Sequence, residues 1–325
     1  MKEKNKYFIV SDVHGEYDAL IEALREAGYE SKNPKHKLIS CGDSFDRGPD
    51  SRKIYQFLGD TNAIAIKGNH DVMFEEFLDK GMDGEFVLFN ILHNGLGATI
   101  ASFGSMRERD FTPTLLDSVS SRLRNSRLHR WVKNMPLYFE TENFIFCHAG
   151  VDPRVANWKN TDENFMLWDI EYSHRDVPNT NKIVVIGHHH AFRVRENAEN
   201  SDKRGDGWCN SGTNTYSCMF NGKPIMVHTY GNTDENAPFF YYNKIAIDGC
   251  SNLTKKVNVL VIEDYPKQEE AETTTETQKT TTIHANYSSP WDGVSINLNN
   301  GTFYYTTTDM DTPIHTHTHG IDIPF

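Results

Sequence analysis

Cysteine is scarce and unpaired in spacing. There are five, at positions 41, 147, 209, 218 and 250, and none form a Cys-x-x-Cys. An odd set at such separations makes neither a disulfide framework nor a zinc ribbon. Positive charge is in deficit too: 33 Lys and Arg stand against 45 Asp and Glu, a formal charge of -12. The chain therefore lacks the broad basic footprint of a nucleic-acid binder, and no extended nucleic-acid surface is expected. An anionic ligand would need local positive charge of another kind, such as metal ions supply. Long apolar runs are also missing. The start, "MKEKNKYFIVSDVHG", is basic but holds only four apolar residues together. That is too short for a signal core or a membrane span, so a cytoplasmic protein without membrane attachment is expected.

What is present is a repeating pattern. With 325 residues, the chain is long enough to bury a sizeable core. "YFIVS" (7–11) is a short apolar run rich in β-formers and reads as a buried strand. In the segment after it, Leu20, Ala23, Leu24 and Ala27 recur at helical spacing and Gly28 stands as a stop. "KLISCG" and "NAIAIKG" read as strands, "SRKIYQFLG" and "DVMFEEFLDKG" as helices. Such alternation predicts parallel βαβ units with helices packed on a sheet. Residues 82–137 read as mainly helical. "NFIFC" (143–147) and "KIVVIG" (182–187) are further strands, and short β-type runs follow from 207.

The composition breaks near Pro266. Residues 1–264 are expected to form the catalytic domain and 265–285 a Thr-rich linker with too few apolar groups to repay ordering. Residues 286–325 form a small β-type tail, with Asn300-Gly301 as a hairpin signal.

The polar residues at the strand ends carry the chemistry. Successive strands deliver Asp12 and His14, then Asp43, then Asn69 and His70, then His148, then His188. In open α/β sheets ligands bind beyond the carboxyl ends of the strands. Asp and Asn oxygens with neutral His nitrogens suit borderline divalent ions such as Mn, Fe or Zn. A central Asp can bridge two of them, clamping a displacement at phosphorus. Taken alone, "CGDSFDRGPD" (41–50) is either a solvated turn or a pair of carboxylates that hold a cation.

In this order, "DVHG", "GDSFDRG", "GNHD", "HAG" and "GH" resemble the calcineurin-like metallophosphoesterases, most of all their phosphoprotein phosphatase branch with its small bacterial and phage members. "HNGLGAT" (93–99), "WVKNMPLY" (131–138) and "IDGCSNLT" (247–254) extend the likeness, which covers about residues 6–264. The resemblance implies an α/β fold, a β-sandwich flanked by helices, here with a C-terminal tail. It implies two divalent ions, Mn first, with Fe or Zn as alternatives. Asp12, His14 and Asp43 would hold one ion; Asp43 would bridge to a second held by Asn69, His148 and His188. His70 would protonate the leaving oxygen with Asp46 oriented against it. Arg47, Asn69 and His70 would contact the substrate phosphate, Arg47 through its fork. Three departures stand out. "GHHHAF" replaces the family's "GHTP", "IDGC" lacks a Thr, and the second phosphate-binding Arg has no clear match. Arg175 is the candidate for that role.

The implied reaction is hydrolysis of a phosphomonoester by metal-bound hydroxide, on a phosphorylated protein of the serine/threonine type or a small phosphoester. The alternative substrate is a nucleotide or dinucleoside polyphosphate, and a binding module with a vestigial site comes third. His36, His93, His129 and His174 read as surface or packing residues, Cys209 and Cys218 as buried thiols, and "HTHTH" (315–319) as a solvated tail.

Overall fold

Strand β1 (Asn5–Val10) shows why its run is apolar on consecutive residues. Tyr7 and Ile9 face one apolar cluster, while Phe8 and Val10 face another. A strand covered on both faces has no polar side to show. The computed structural model describes residues 4–199, 208–212, 214–266, 295–299 and 302–306. Contacts divide the chain into two units, Met1–Glu270 and Ala271–Phe325.

The first unit contains two mixed sheets. One has the order β3 (Ile64–Ile66), β2 (His36–Cys41), β1, β12 (Val259–Asp264), β9 (Lys223–Tyr230), β8 (Thr215–Phe220) and β7 (Cys209–Gly212). The other runs β10 (Phe239–Tyr241), β11 (Lys244–Ala246), β6 (Ile183–Ile186), β5 (Phe144–Cys147) and β4 (Tyr138–Glu140). Ile39, Leu260 and Ile262 from the first sheet meet Phe144, Phe146, Val185 and Ile245 from the second in one cluster. The alternate residues point outward. Leu38, Val259 and Val261 pack under helices α1 (Tyr17–Glu26), α2 (Ser51–Asp60) and α3 (Asn69–Lys80), and Ile145, Val184 and Ile186 pack with Met166 and Val194. The expected sandwich with helices outside is thus built from period-two alternation within strands that read as uniformly apolar.

β1, β2 and β3 are mutually parallel, as are β5, β6 and β11. Their carboxyl ends meet at one edge of the sandwich, where His148 Nδ1 donates to the Cys41 carbonyl at 2.8 Å. The region 82–137 is mainly helical as expected.

The thiol expectation needs one correction. Cys41 and Cys147 are buried, but Cys209 is exposed and Cys218 only partly covered. Both lie on β7 and β8, at the open end of the seven-stranded sheet. In the second unit the described residues are the hairpin of β13 (Ser295–Asn299) and β14 (Thr302–Thr306). Residues 267–285 of the expected linker and the His-rich 315–319 lie outside the described residues.

One lysine is held in the core. Lys244 on β11 is buried and donates from Nζ to the Tyr172 carbonyl at 2.8 Å. Burial pushes its pKa down to about 8. A depressed folded-state value means that the unfolded chain holds the proton more tightly between about pH 8 and 10.5. Stability from this group therefore rises with pH across that window, by about 3 kcal/mol at most. Urea unfolding of wild type and Lys244→Met should show the variant's relative advantage shrinking from pH 7.5 to pH 10. A gap independent of pH would refute the buried charge.

Candidate metal centre

The strand ends place the site, and the backbone there is strained. Asp12, His14, Asp43, Asp46, Arg47 and His188 all have positive φ, between 47° and 71°. For residues with a Cβ this costs roughly 1 kcal/mol or more each. Six such residues converging on one edge mark a place where geometry is held against local preference. Two glycines make room for it. Gly42, at φ 93°, lies where a Cβ would enter the His148 ring. A Cβ on Gly187 would collide with the Ser11 hydroxyl and the Asp12 carboxylate.

Asp43 is central. Its Oδ1 accepts the His70 backbone N–H at 3.0 Å and lies 3.3 Å from His148 Nε2. Its Oδ2 lies 3.8 Å from His14 Nε2 and 3.9 Å from His70 Nε2. Two groups able to hold an ion share it: His14, Asp43 and His70, and Asp43, His148 and His188. Burial pushes the Asp43 carboxyl up, but the surrounding imidazoles of His148, His70, His14 and His188 outweigh it and hold the pKa below the usual range. The opposite balance holds at His14 and His188. Burial dominates and pushes both down, His188 to about 3. Burial thus favours the neutral ring at both positions, the form that binds metals.

The donor set fits divalent ions. His14 spends Nδ1 on the Phe45 carbonyl at 2.8 Å, and His148 spends Nδ1 on Cys41. Each ring is oriented by a backbone acceptor and presents Nε2 inward. Asn69 Oδ1 lies 2.8 Å from His148 Nε2 and 3.1 Å from His188 Nδ1. A carboxylate oxygen, an amide oxygen and imidazole lone pairs thus converge, an arrangement that a cation resolves.

Asp12 belongs to neither of the two groups. Its carboxylate accepts the His188 backbone N–H on both oxygens, at 3.0 and 3.2 Å, and the Ser11 hydroxyl. Burial pushes its pKa up to about 6. His70 has Nδ1 2.8 Å from Asp46 Oδ2. Burial pulls the His70 pKa down, but the Asp43 and Asp46 carboxylates more than reverse this and raise it. The Arg47 guanidinium spans the two imidazoles of the first group, 2.8 Å from His14 Nε2 and 3.1 Å from His70 Nε2. Arg175 is exposed, with its guanidinium 4.6 Å from the Tyr172 ring centroid. It makes no hydrogen bond or ion pair with the cluster among the described residues.

Three further motif residues support the cluster. Asp71, last in "GNHD", accepts the backbone N–H groups of Gly68 and Asp43. Thr99, last in "HNGLGAT", donates to Asp46 Oδ1 and accepts the Asp46 backbone N–H, both at 2.7 Å. Asp248 of "IDGC" is buried 3.7 Å from His190 Nε2.

Residues 6–227 match the family described as Calcineurin-like phosphoesterase. The symmetrical bis(5'-nucleosyl)-tetraphosphatase of Vibrio cholerae is 30% identical over 151 residues, 45% of this chain and 45% of that one. Serine/threonine-protein phosphatase 2 of Escherichia coli is 37% identical over 81 residues, 25% of this chain and 36% of that protein. The chain thus spans about half or less of the length of these two relatives. A solved metallophosphoesterase from Sphaerobacter thermophilus aligns with 81% of this chain and 89% of its own, at 15% identity and a TM-score of 0.37.

Proposed function

The chain belongs to the calcineurin-like phosphoesterases, metal-dependent hydrolases of phosphate esters, and from that premise we propose that the Asp43 cluster is its catalytic centre. The observation that carries this is one buried carboxylate shared by two groups of imidazoles. His14 and His70 lie on one side of Asp43, His148 and His188 on the other, with Asn69 completing the second set. Asp12, two residues beyond the end of β1, would complete the first. Two divalent ions held there, Mn for preference, would polarise the phosphoryl group and activate the attacking water.

The remaining work falls to the chain's own groups. Arg47 would hold phosphoryl oxygens through its fork. His70 would give a proton to the leaving oxygen, with Asp46 and Thr99 fixing its ring. The buried thiols do not compete as nucleophiles: burial pushes Cys147 up to about 12 and Cys41 well above its ordinary value. A serine/threonine-type phosphomonoesterase is the first reading of the motifs. Hydrolysis of nucleotides or dinucleoside polyphosphates is the second, favoured by an aromatic groove beside the site.

Metal dependence is the direct test. Calorimetry on chelated, dialysed protein should show two Mn ions bound per chain, with turnover of p-nitrophenyl phosphate lost on chelation and restored by Mn. Undiminished turnover after exhaustive chelation would sink the proposal.

A further inference from the structure

We propose that the groove between α3 and Trp168 is a subsite for a nucleobase, so that the enzyme takes nucleotide-class substrates with phosphate on the Asp43 cluster and base in the groove. This rests on the hydrolase reading above and adds a substrate class to it. The groove has a volume of about 730 Å³, within the range of small-molecule sites. Phe86, Phe89 and Trp168 line it and are 56%, 54% and 44% exposed. Three large flat side chains left open in one concavity are unusual on a surface and mark a binding site.

The groove lies beside the metal centre. The Trp168 ring stands edge-on to the ring of His188, centroids 6.4 Å apart. Val72 and Met73 in its wall follow Asn69 and His70 on the first turns of α3. A base linked to a phosphate on the cluster would meet the Trp168 ring, beside His188, at the mouth of the groove.

Charge selects the occupant. Four carboxylates, Glu75, Glu76, Asp79 and Glu163, face two lysines in the lining, so phosphate is repelled from the groove itself. Glu75 is spent on Lys67 at 2.7 Å and Glu76 on Lys80 at 3.2 Å. Glu163 has no hydrogen bond or ion pair among the described residues. A peptide would bring a row of backbone amides and find few open partners. A neutral purine needs only a stacking face and one acceptor for its amino group, and stacking on an aromatic face tolerates any base.

The test separates this proposal from the hydrolase reading. Inhibition by AMP and by ribose 5-phosphate is measured in the Mn-loaded enzyme, with phosphoserine as substrate. Wild type should bind AMP about tenfold more tightly than ribose 5-phosphate, the margin expected of one stacked base. Phe86→Ala and Phe89→Ala should erase most of that margin without changing phosphoserine turnover, and Phe89→Tyr should retain it. Equal inhibition by the two ligands in wild type overturns the base subsite and leaves the hydrolase intact. If neither phosphoserine nor p-nitrophenyl phosphate is turned over, the hydrolase reading fails, and calorimetric binding of the same two ligands still decides the groove. Loss of kcat/KM for a phosphopeptide in the alanine variants, with AMP inhibition unchanged, would assign the groove to protein and refute the proposal.

Discussion

Asp43→Asn is expected to lower kcat about a thousandfold. Asparagine keeps the volume and one oxygen, so the His70 backbone N–H that Asp43 Oδ1 now accepts can still be satisfied. What disappears is the charge at the carboxylate shared by both groups of imidazoles. A metal's stabilisation of phosphoryl charge is worth several kcal/mol, and each 1.36 kcal/mol is a factor of ten. Weakening both ions together therefore reaches about three orders of magnitude. The fold should survive, because the variant removes a buried charge as well as its partners' attraction. The check is kcat for p-nitrophenyl phosphate at saturating Mn, with metal content measured on the same sample. A loss under tenfold with two ions retained would remove Asp43 from the bridging position.

That Asp43 is central was legible because strand ends are legible. Apolar runs at 7–10, 38–41, 144–147 and 183–186 stop at a His or at a single Ser or Gly followed by Asp or His, and parallel strands bring such stops to one edge. The supporting contacts were not legible in the same way. Thr99 holds Asp46 across 53 positions, and no local pattern announces a partner that far away. The aromatic groove was hidden for a different reason. In "FVLF" (86–89) Val87 is buried while Phe86, Leu88 and Phe89 are exposed. A short run apolar on every residue has no periodicity to say which side faces in. The backbone also turns irregularly there, passing from a single helical turn at Val87–Phe89 into a wider one at Asn90–Asn94. Asp12 shows the limit from the other side. Motif resemblance places it with His14 and Asp43 as a ligand, and the order of motifs says nothing of the Ser11 hydroxyl and His188 backbone N–H that its carboxylate accepts.

His70→Asn separates two roles that the geometry offers to one ring. Nε2 of His70 lies 3.9 Å from Asp43 Oδ2 in a group able to hold an ion, which suits a ligand. Nδ1 lies 2.8 Å from Asp46 Oδ2, whose other oxygen is held by Thr99, which suits an oriented acid. The raised pKa, sustained by Asp43 and Asp46 against burial, favours the acid, because a ligand must be neutral. An acid matters only where the leaving oxygen needs a proton. The variant should therefore lose about a hundredfold or more on an alkyl ester such as phosphoserine, the range of general acid catalysis. On p-nitrophenyl phosphate, whose leaving group departs readily as an anion, the loss should stay within about tenfold. Asp46→Asn should give the same pattern more weakly, since His70 would remain in place but lose its orientation and part of its proton affinity. A ligand role predicts otherwise: both substrates would slow equally, and metal content would fall to one ion per chain. Equal losses with one ion missing would make His70 a ligand and leave the leaving-group proton to another donor.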